Sequence, residues 1–165
     1  MYIYKVATKE HLKEIILMKN DVKEKVIKEN LPIWQNGYPQ DELILEDIEN
    51  GFGRILVVDN EIVSYATYHP ALYEYDKGTF PIDDVMSFGR VMTKVSKTKQ
   101  GFATKLIEKM IEETKQKMIP GLGILVDDFN KKALDIYLKF GFKYLKTSQF
   151  PWAILDVYYL DLTNE

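Results

Sequence analysis

The spacing of apolar residues changes several times along the chain, and each change predicts a new element. Between Thr8 and the Leu31-Pro32 pair, Leu12, Ile15, Ile16, the aliphatic stem of Lys19, Val22 and Val26 recur at helical spacing, and Thr8 stands where an N-cap belongs. IWQNGYP then makes a turn-rich aromatic connector. The run QDELILEDIENG after Pro39 predicts a short helix with acids in its early turns and Asn50-Gly51 at its end. RILVVD and EIVSYATY are strand-like, and the Asp59-Asn60-Glu61 junction between them predicts a tight hairpin. Residues 70–81 read as an excursion from the sheet, which VMSFGRVMT, Val85 to Thr93, resumes.

From there VSKTKQG leads into an amphipathic helix with Phe102, Leu106, Ile107, Met110 and Ile111 on one side and Glu108, Glu112 and Lys115 on the other. Gly121 and the apolar run ILV predict another strand. NKKALDIYLKFGF, Asn130 to Phe142, is a short helix opened by a favoured N-cap and stopped by Gly141. FKYLKTSQ and AILDVYYLDL are two last strands, separated by Phe150-Pro151-Trp152. The expected order is helix, helix, three strands, helix, strand, helix, two strands, without internal repeats or low-complexity tracts. That order predicts one α/β domain over residues 1–165, with a mixed sheet and helices on both faces.

Composition narrows the chemistry. The chain has 165 residues, 46% hydrophobic and 28% charged, as a soluble globular protein does. Apolar runs such as Ile55 to Val58 are far short of a membrane span, and MYIYKVATKE resembles neither a signal nor a transit peptide, so a cytoplasmic protein without a membrane partner is expected. With no cysteine, and with His11 and His69 as the only histidines, neither a thiolate nucleophile nor a cysteine or histidine-rich metal site is expected. The formal charge of -3 argues against a nucleic-acid partner. Against that acidic balance, Lys94, Lys97, Lys99 and Lys105 form a local positive island with no acid among them.

The island surrounds a turn from strand to helix, VMTKVSKTKQGFATKL. A helix N-terminus exposes backbone N–H groups and a partial positive charge, and a glycine there lets a phosphate approach the backbone closely. Gly101 stands at that point, with small Ala103, the Thr104 hydroxyl in the first turn, and Lys97 and Lys99 nearby. The same residues also suit an ordinary capped turn with solvated lysines. Neither a Walker-type loop nor a dinucleotide fingerprint can be written over this segment.

Taken together, TKQGFA before an amphipathic helix, a following strand, and N-x-x-A-x-x-x-Y-x-x-x-G-F in NKKALDIYLKFGF closely resemble the GCN5-related N-acetyltransferase (GNAT) family. IWQNGYP followed by DIENG is similar to a subgroup of small bacterial members. The family's acetyl-CoA motif, Q/R-x-x-G-x-G/A, is met by Gly101 and Ala103, but Thr98 occupies its first position and Lys99 stands where many members have another glycine. The resemblance implies a central, mostly antiparallel sheet of six to seven strands and an acetyl-CoA-dependent N-acetyltransferase without a metal. It further implies that the pantetheine arm pairs with the backbone of Val91, Met92 and Thr93, and that the pyrophosphate rests on the amides of Lys99, Gln100, Gly101, Phe102, Ala103 and Thr104.

By the same resemblance Asn130 contacts the pantetheine arm, and Tyr137 protonates the thiolate that leaves when an amine attacks the thioester. From the residues alone, Asn130 serves equally as a plain N-cap, and Tyr137 as a buried aromatic on the helix stripe. For the proton on the incoming amine, Glu74, Asp83, Asp84 and His69 are candidate acceptors. Trp34, Tyr38, Tyr73 and Tyr75 are candidate walls of an acceptor pocket, equally suited to packing. A primary amine of a small molecule or peptide is the expected acceptor. The alternative is a non-catalytic acyl-CoA-binding or regulatory module, and the exposed strand content near the C-terminus permits a homodimer.

Overall fold

The computed structural model describes residues 1–127 and 129–163. It holds seven strands, β1 (Tyr2–Val6), β2 (Gly53–Val58), β3 (Glu61–Pro70), β4 (Met86–Thr93), β5 (Gly121–Val126), β6 (Lys143–Gln149) and β7 (Ile154–Asp161). The helices are α1 (Leu12–Lys28), α2 (Asp41–Glu49), α3 (Ala71–Glu74), α4 (Phe102–Gln116) and α5 (Lys131–Lys139), with short 3-10 turns at Lys9–His11 and Val95–Lys97. The strands form one sheet in the order β1-β2-β3-β4-β5-β7-β6. β1 with β2, β2 with β3, β5 with β7 and β6 with β7 run antiparallel, while β4 and β5 run parallel. Among the described residues no helix is long and apolar enough to cross a membrane.

Three features depart from the reading of the sequence. The chain opens on a strand rather than a helix. β1 is an edge strand that pairs Tyr2 with Val58 and Val6 with Arg54, and its apolar residues fall on both faces, Tyr2 and Tyr4 half-buried and Ile3 and Val6 exposed, which hides the period-two signal. The predicted first helix begins with a 3-10 turn. Thr8 caps it, with His11 reaching back to the Thr8 amide at 3.0 Å, and α1 starts at Leu12. Lys19 lends more than the aliphatic stem that its place on the apolar face predicts, for the whole side chain is buried and its ammonium pairs with Asp41 at the start of α2.

The described residues gather into two compact units, the first made of Met1–Tyr68 and Arg90–Lys109, the second of His69–Gly89 and the described residues of Met110–Glu165. In the first, Ile15 and Met18 of α1, Ile44 and Ile48 of α2, Ile55 of β2, Tyr65 of β3 and Met92 of β4 close a core against which Trp34 packs. The hairpin of this unit turns at Asp59 and Asn60, both left-handed with φ of 51° and 65°, as a tight two-residue turn demands. The second unit has its own core of Ala71, Phe80, Val85, Val157 and Tyr159. There the parallel pairing of β4 with β5 matches Met86 with Leu122 and Ser87 with Gly123, at the beginning of both strands.

Candidate functional site

In the first unit, β4 carries Val91, Met92 and Thr93. Met92 is buried in the core and fixes the strand, while Val91 and Thr93 are half-buried. The chain leaves β4 through the turn Val95–Lys97, whose closing residue Thr98 donates its hydroxyl to the Val95 carbonyl at 3.3 Å. Thr98 therefore ties down the turn on which α4 begins. Lys99 takes φ +65°, the left-handed conformation that a glycine adopts at no cost. Gly101 follows at φ +81°, with nothing within 4 Å of where a Cβ would sit. Gln100 and Gly101 are exposed, and Phe102, Ala103 and Thr104 open α4 half-buried.

The first helical bond of α4 runs from the Lys105 amide to the Gly101 carbonyl at 3.0 Å, so the amides before it lie outside the helical ladder. The result is an exposed turn at the positive end of a fifteen-residue helix, with open space where a side chain is missing. Such a surface fits a phosphate. The lysine island is less positive than the sequence suggests, because Lys94 and Lys97 share Glu61 at 3.2 and 3.8 Å and Lys105 pairs with Glu108 at 3.1 Å. Glu61 lies far from the lysines in the chain, so no local reading of charge finds this compensation.

In the second unit, Asn130 caps α5, its side-chain oxygen accepting from the Ala133 amide at 3.4 Å. At the other end Gly141, at φ +95°, lets the Phe142 amide reach the Tyr137 carbonyl at 3.1 Å and the Gly141 amide reach the Leu138 carbonyl at 3.0 Å. This pair of bonds is a Schellman C-cap. Its accompanying apolar contact is between Tyr137 and Phe142, whose rings lie 5.9 Å apart, and Phe88 of β4 meets both edge-on at 5.7 and 5.9 Å. Tyr137 is 5% exposed, and burial raises its phenol well above the ordinary 10.0. The hydroxyl thus keeps its proton at every physiological pH.

The four candidate proton acceptors separate. Asp83 accepts from the Gly78 amide at 3.3 Å in the excursion, and Asp84 is exposed. His69 and Glu74 come together, with Nε2 3.7 Å from the Glu74 carboxylate. The Pro70 carbonyl lies 2.8 Å from His69 Nδ1 and can only accept, so Nδ1 carries a proton and Nε2 faces the carboxylate. Tyr73 and Tyr75 flank this imidazole at 6.2 and 5.8 Å, and Tyr75 continues to Phe80 and Phe150, on which Trp152 stacks. Of the other aromatic candidates, Trp34 packs on the core of the first unit and Tyr38 lies beneath the Arg90 guanidinium. The sequence reading missed Asp47, Tyr65 and Arg90, three buried polar residues from separate elements, and also the Phe150–Trp152 stack.

The family model described as Acetyltransferase (GNAT) family matches residues 20–142. The chain belongs to the GNAT acetyltransferase family. The matched span runs from within α1 through the glycine turn to the C-cap of α5. Solved GNAT structures share the fold over nearly the whole chain. An acetyltransferase of the GNAT family from Streptococcus agalactiae superposes with a TM-score of 0.81 at 20% identity, over 97% of this chain and 95% of that one. A ribosomal-protein-alanine N-acetyltransferase from Brucella melitensis gives 0.70 at 20% identity, over 95% and 96%. The yncA protein of Salmonella typhimurium, solved with its cofactor acetyl-CoA, gives 0.72 at 14% identity, over 99% and 95%. No curated protein matches this sequence.

Proposed function

We propose that the protein transfers the acetyl group of acetyl-CoA directly to a primary amine of a small molecule or peptide. The observation that carries this reading is the turn into α4, where a left-handed Gly101 with open space at its missing side chain precedes amides outside the helical ladder. The amides of the turn, Lys99 to Thr104, receive the pyrophosphate, and the backbone of Val91 to Thr93 receives the pantetheine arm as an added strand. Asn130 caps α5 and contacts the same arm. The acetyl-CoA complex of the Salmonella relative supports the choice of cosubstrate.

Acetyl-CoA supplies an acetyl thioester. Tyr137, held protonated by burial, donates from its phenolic oxygen to the sulfur as the carbon–sulfur bond breaks and the new carbon–nitrogen bond forms. The proton lost by the amine is taken up at the Glu74 carboxylate or by solvent, and solvent returns a proton to Tyr137. Incubating the protein with acetyl-CoA and a panel of polyamines, amino acids and peptides tests this. Release of CoA thiol with one amine class, lost in Tyr137→Phe, is the expected result. Tight acetyl-CoA binding without thiol release on any amine would instead make the protein a non-catalytic acyl-CoA-binding module.

A further inference from the structure

Most left-handed non-glycine residues here lie where a chain turns, at Asn30 and Met118 beyond helix ends, at Trp34 and Asn36 in the connector, at Asp59 and Asn60 in the hairpin, and at Lys99 before α4. Arg90 is different. It takes φ +48° in the middle of β4, where an L-residue is strained, and its side chain is buried. A glycine would permit that backbone angle but would not enforce it. The arginine is held from three elements. Its Nη1 lies 3.7 Å from Asp47 of α2, Tyr65 of β3 donates to the other Asp47 oxygen at 2.8 Å, and the guanidinium lies over the Tyr38 ring of the connector at 5.7 Å.

A buried ion pair is a poor route to stability, since desolvation cancels most of its attraction, but in some proteins such a pair selects one geometry against alternatives. The geometry fixed here is a kink in β4 immediately before Val91, Met92 and Thr93. Met92 is seated in the core, so the direction in which the next amides and carbonyls point follows from the angle at Arg90.

We propose that Asp47 and Tyr65 are positioning residues for acetyl transfer, acting through the Arg90 side chain to hold the left-handed kink that aims the backbone of Val91 to Thr93. This rests on the reading of that segment as the seat of the pantetheine arm. It assigns a role in the reaction to α2, which carries none of the candidate site residues, and to the interior of β3, away from His69 at its end.

The test separates the backbone from the charges by comparing Asp47→Asn/Arg90→Gly with Asp47→Asn/Arg90→Ala. Both variants lack the ion pair, but only glycine accepts the left-handed angle without a Cβ clash. The glycine variant is expected to keep about tenfold higher kcat/KM for acetyl-CoA, and about tenfold slower amide exchange at Val91 to Thr93, than the alanine variant. Equal kcat/KM and equal exchange in the two would overturn the proposal. Tyr65→Phe, the mildest change, is expected to raise KM for acetyl-CoA severalfold with the acceptor KM unchanged, and a lowered Tm with unaltered kinetics would count against the role. Absence of turnover in the parent protein would count against the acetyl-transfer reading alone, and the amide-exchange comparison would still decide the kink.

Discussion

At the start of α4 the chain leaves its backbone amides outside the helical ladder, with Gly101 at φ +81° and open space where a side chain would begin. At the start of α5 the side chain of Asn130 already occupies the Ala133 amide, and at its far end Gly141 and Phe142 close the helix onto Tyr137. One helix end is left open and the other is sealed, although both begin from an ordinary signal for a helix terminus. An end whose donors remain outside the ladder can bind an anion, whereas a fully capped helix holds a side chain in place. The first therefore suits the binding of phosphate, and the second the placement of Tyr137.

The sharpest way to break this comparison is at the sealed end. Tyr137→Phe removes the hydroxyl and keeps the ring contacts with Phe88 and Phe142, so turnover should fall about a hundredfold while acetyl-CoA affinity and Tm stay near those of the parent, read by thiol release and calorimetry. At the open end, Gly101→Ala places a Cβ in the open space beside the turn and strains the left-handed backbone. Acetyl-CoA affinity should fall about tenfold, with about 1 kcal/mol or more lost in stability. Asn130→Ala should cost about 1 kcal/mol by urea unfolding, the worth of one N-cap. If it also weakens acetyl-CoA binding, its side chain serves the ligand as well as the helix.

The smallest effect is on pH dependence. Burial raises the phenols of Tyr137 and Tyr65 above the ordinary 10.0, for Tyr65 with the added repulsion of Asp47. In the unfolded chain both titrate near that ordinary value, so above it the native state binds more protons than the unfolded one. Their contribution is fully present below about pH 10 and is lost as pH rises toward the native values, so stability should fall on the alkaline side. Tyr137→Phe should flatten that decline in urea titrations between about pH 9 and 11.

Much of this molecule can be read from its residues. The strands from β2 onward, the hairpin at Asp59-Asn60, the glycine turn and both caps of α5 follow from local signals, because each depends on residues a few positions apart. What escapes reading is made by contacts distant in sequence. Glu61 compensates Lys94 and Lys97, Asp41 receives the buried ammonium of Lys19, and Asp47, Tyr65 and Arg90 converge from three elements. Nothing in DIENG, EIVSYATY or VMSFGRVMT alone tells that an acid, a phenol and a guanidinium will meet. β1 escaped for another reason, since an edge strand with apolar residues on both faces carries no alternation to detect.

The central claim is that the open end of α4 is a seat for the diphosphate of acetyl-CoA, and calorimetric titration with acetyl-CoA, in parallel with CoA and ATP, tests it most directly. The account predicts saturable binding of acetyl-CoA and CoA at one site per chain, weakened about tenfold by Gly101→Ala and unchanged by Tyr137→Phe. Tight binding of ATP with indifference to acetyl-CoA, or acetyl-CoA binding that ignores Gly101→Ala, would contradict it.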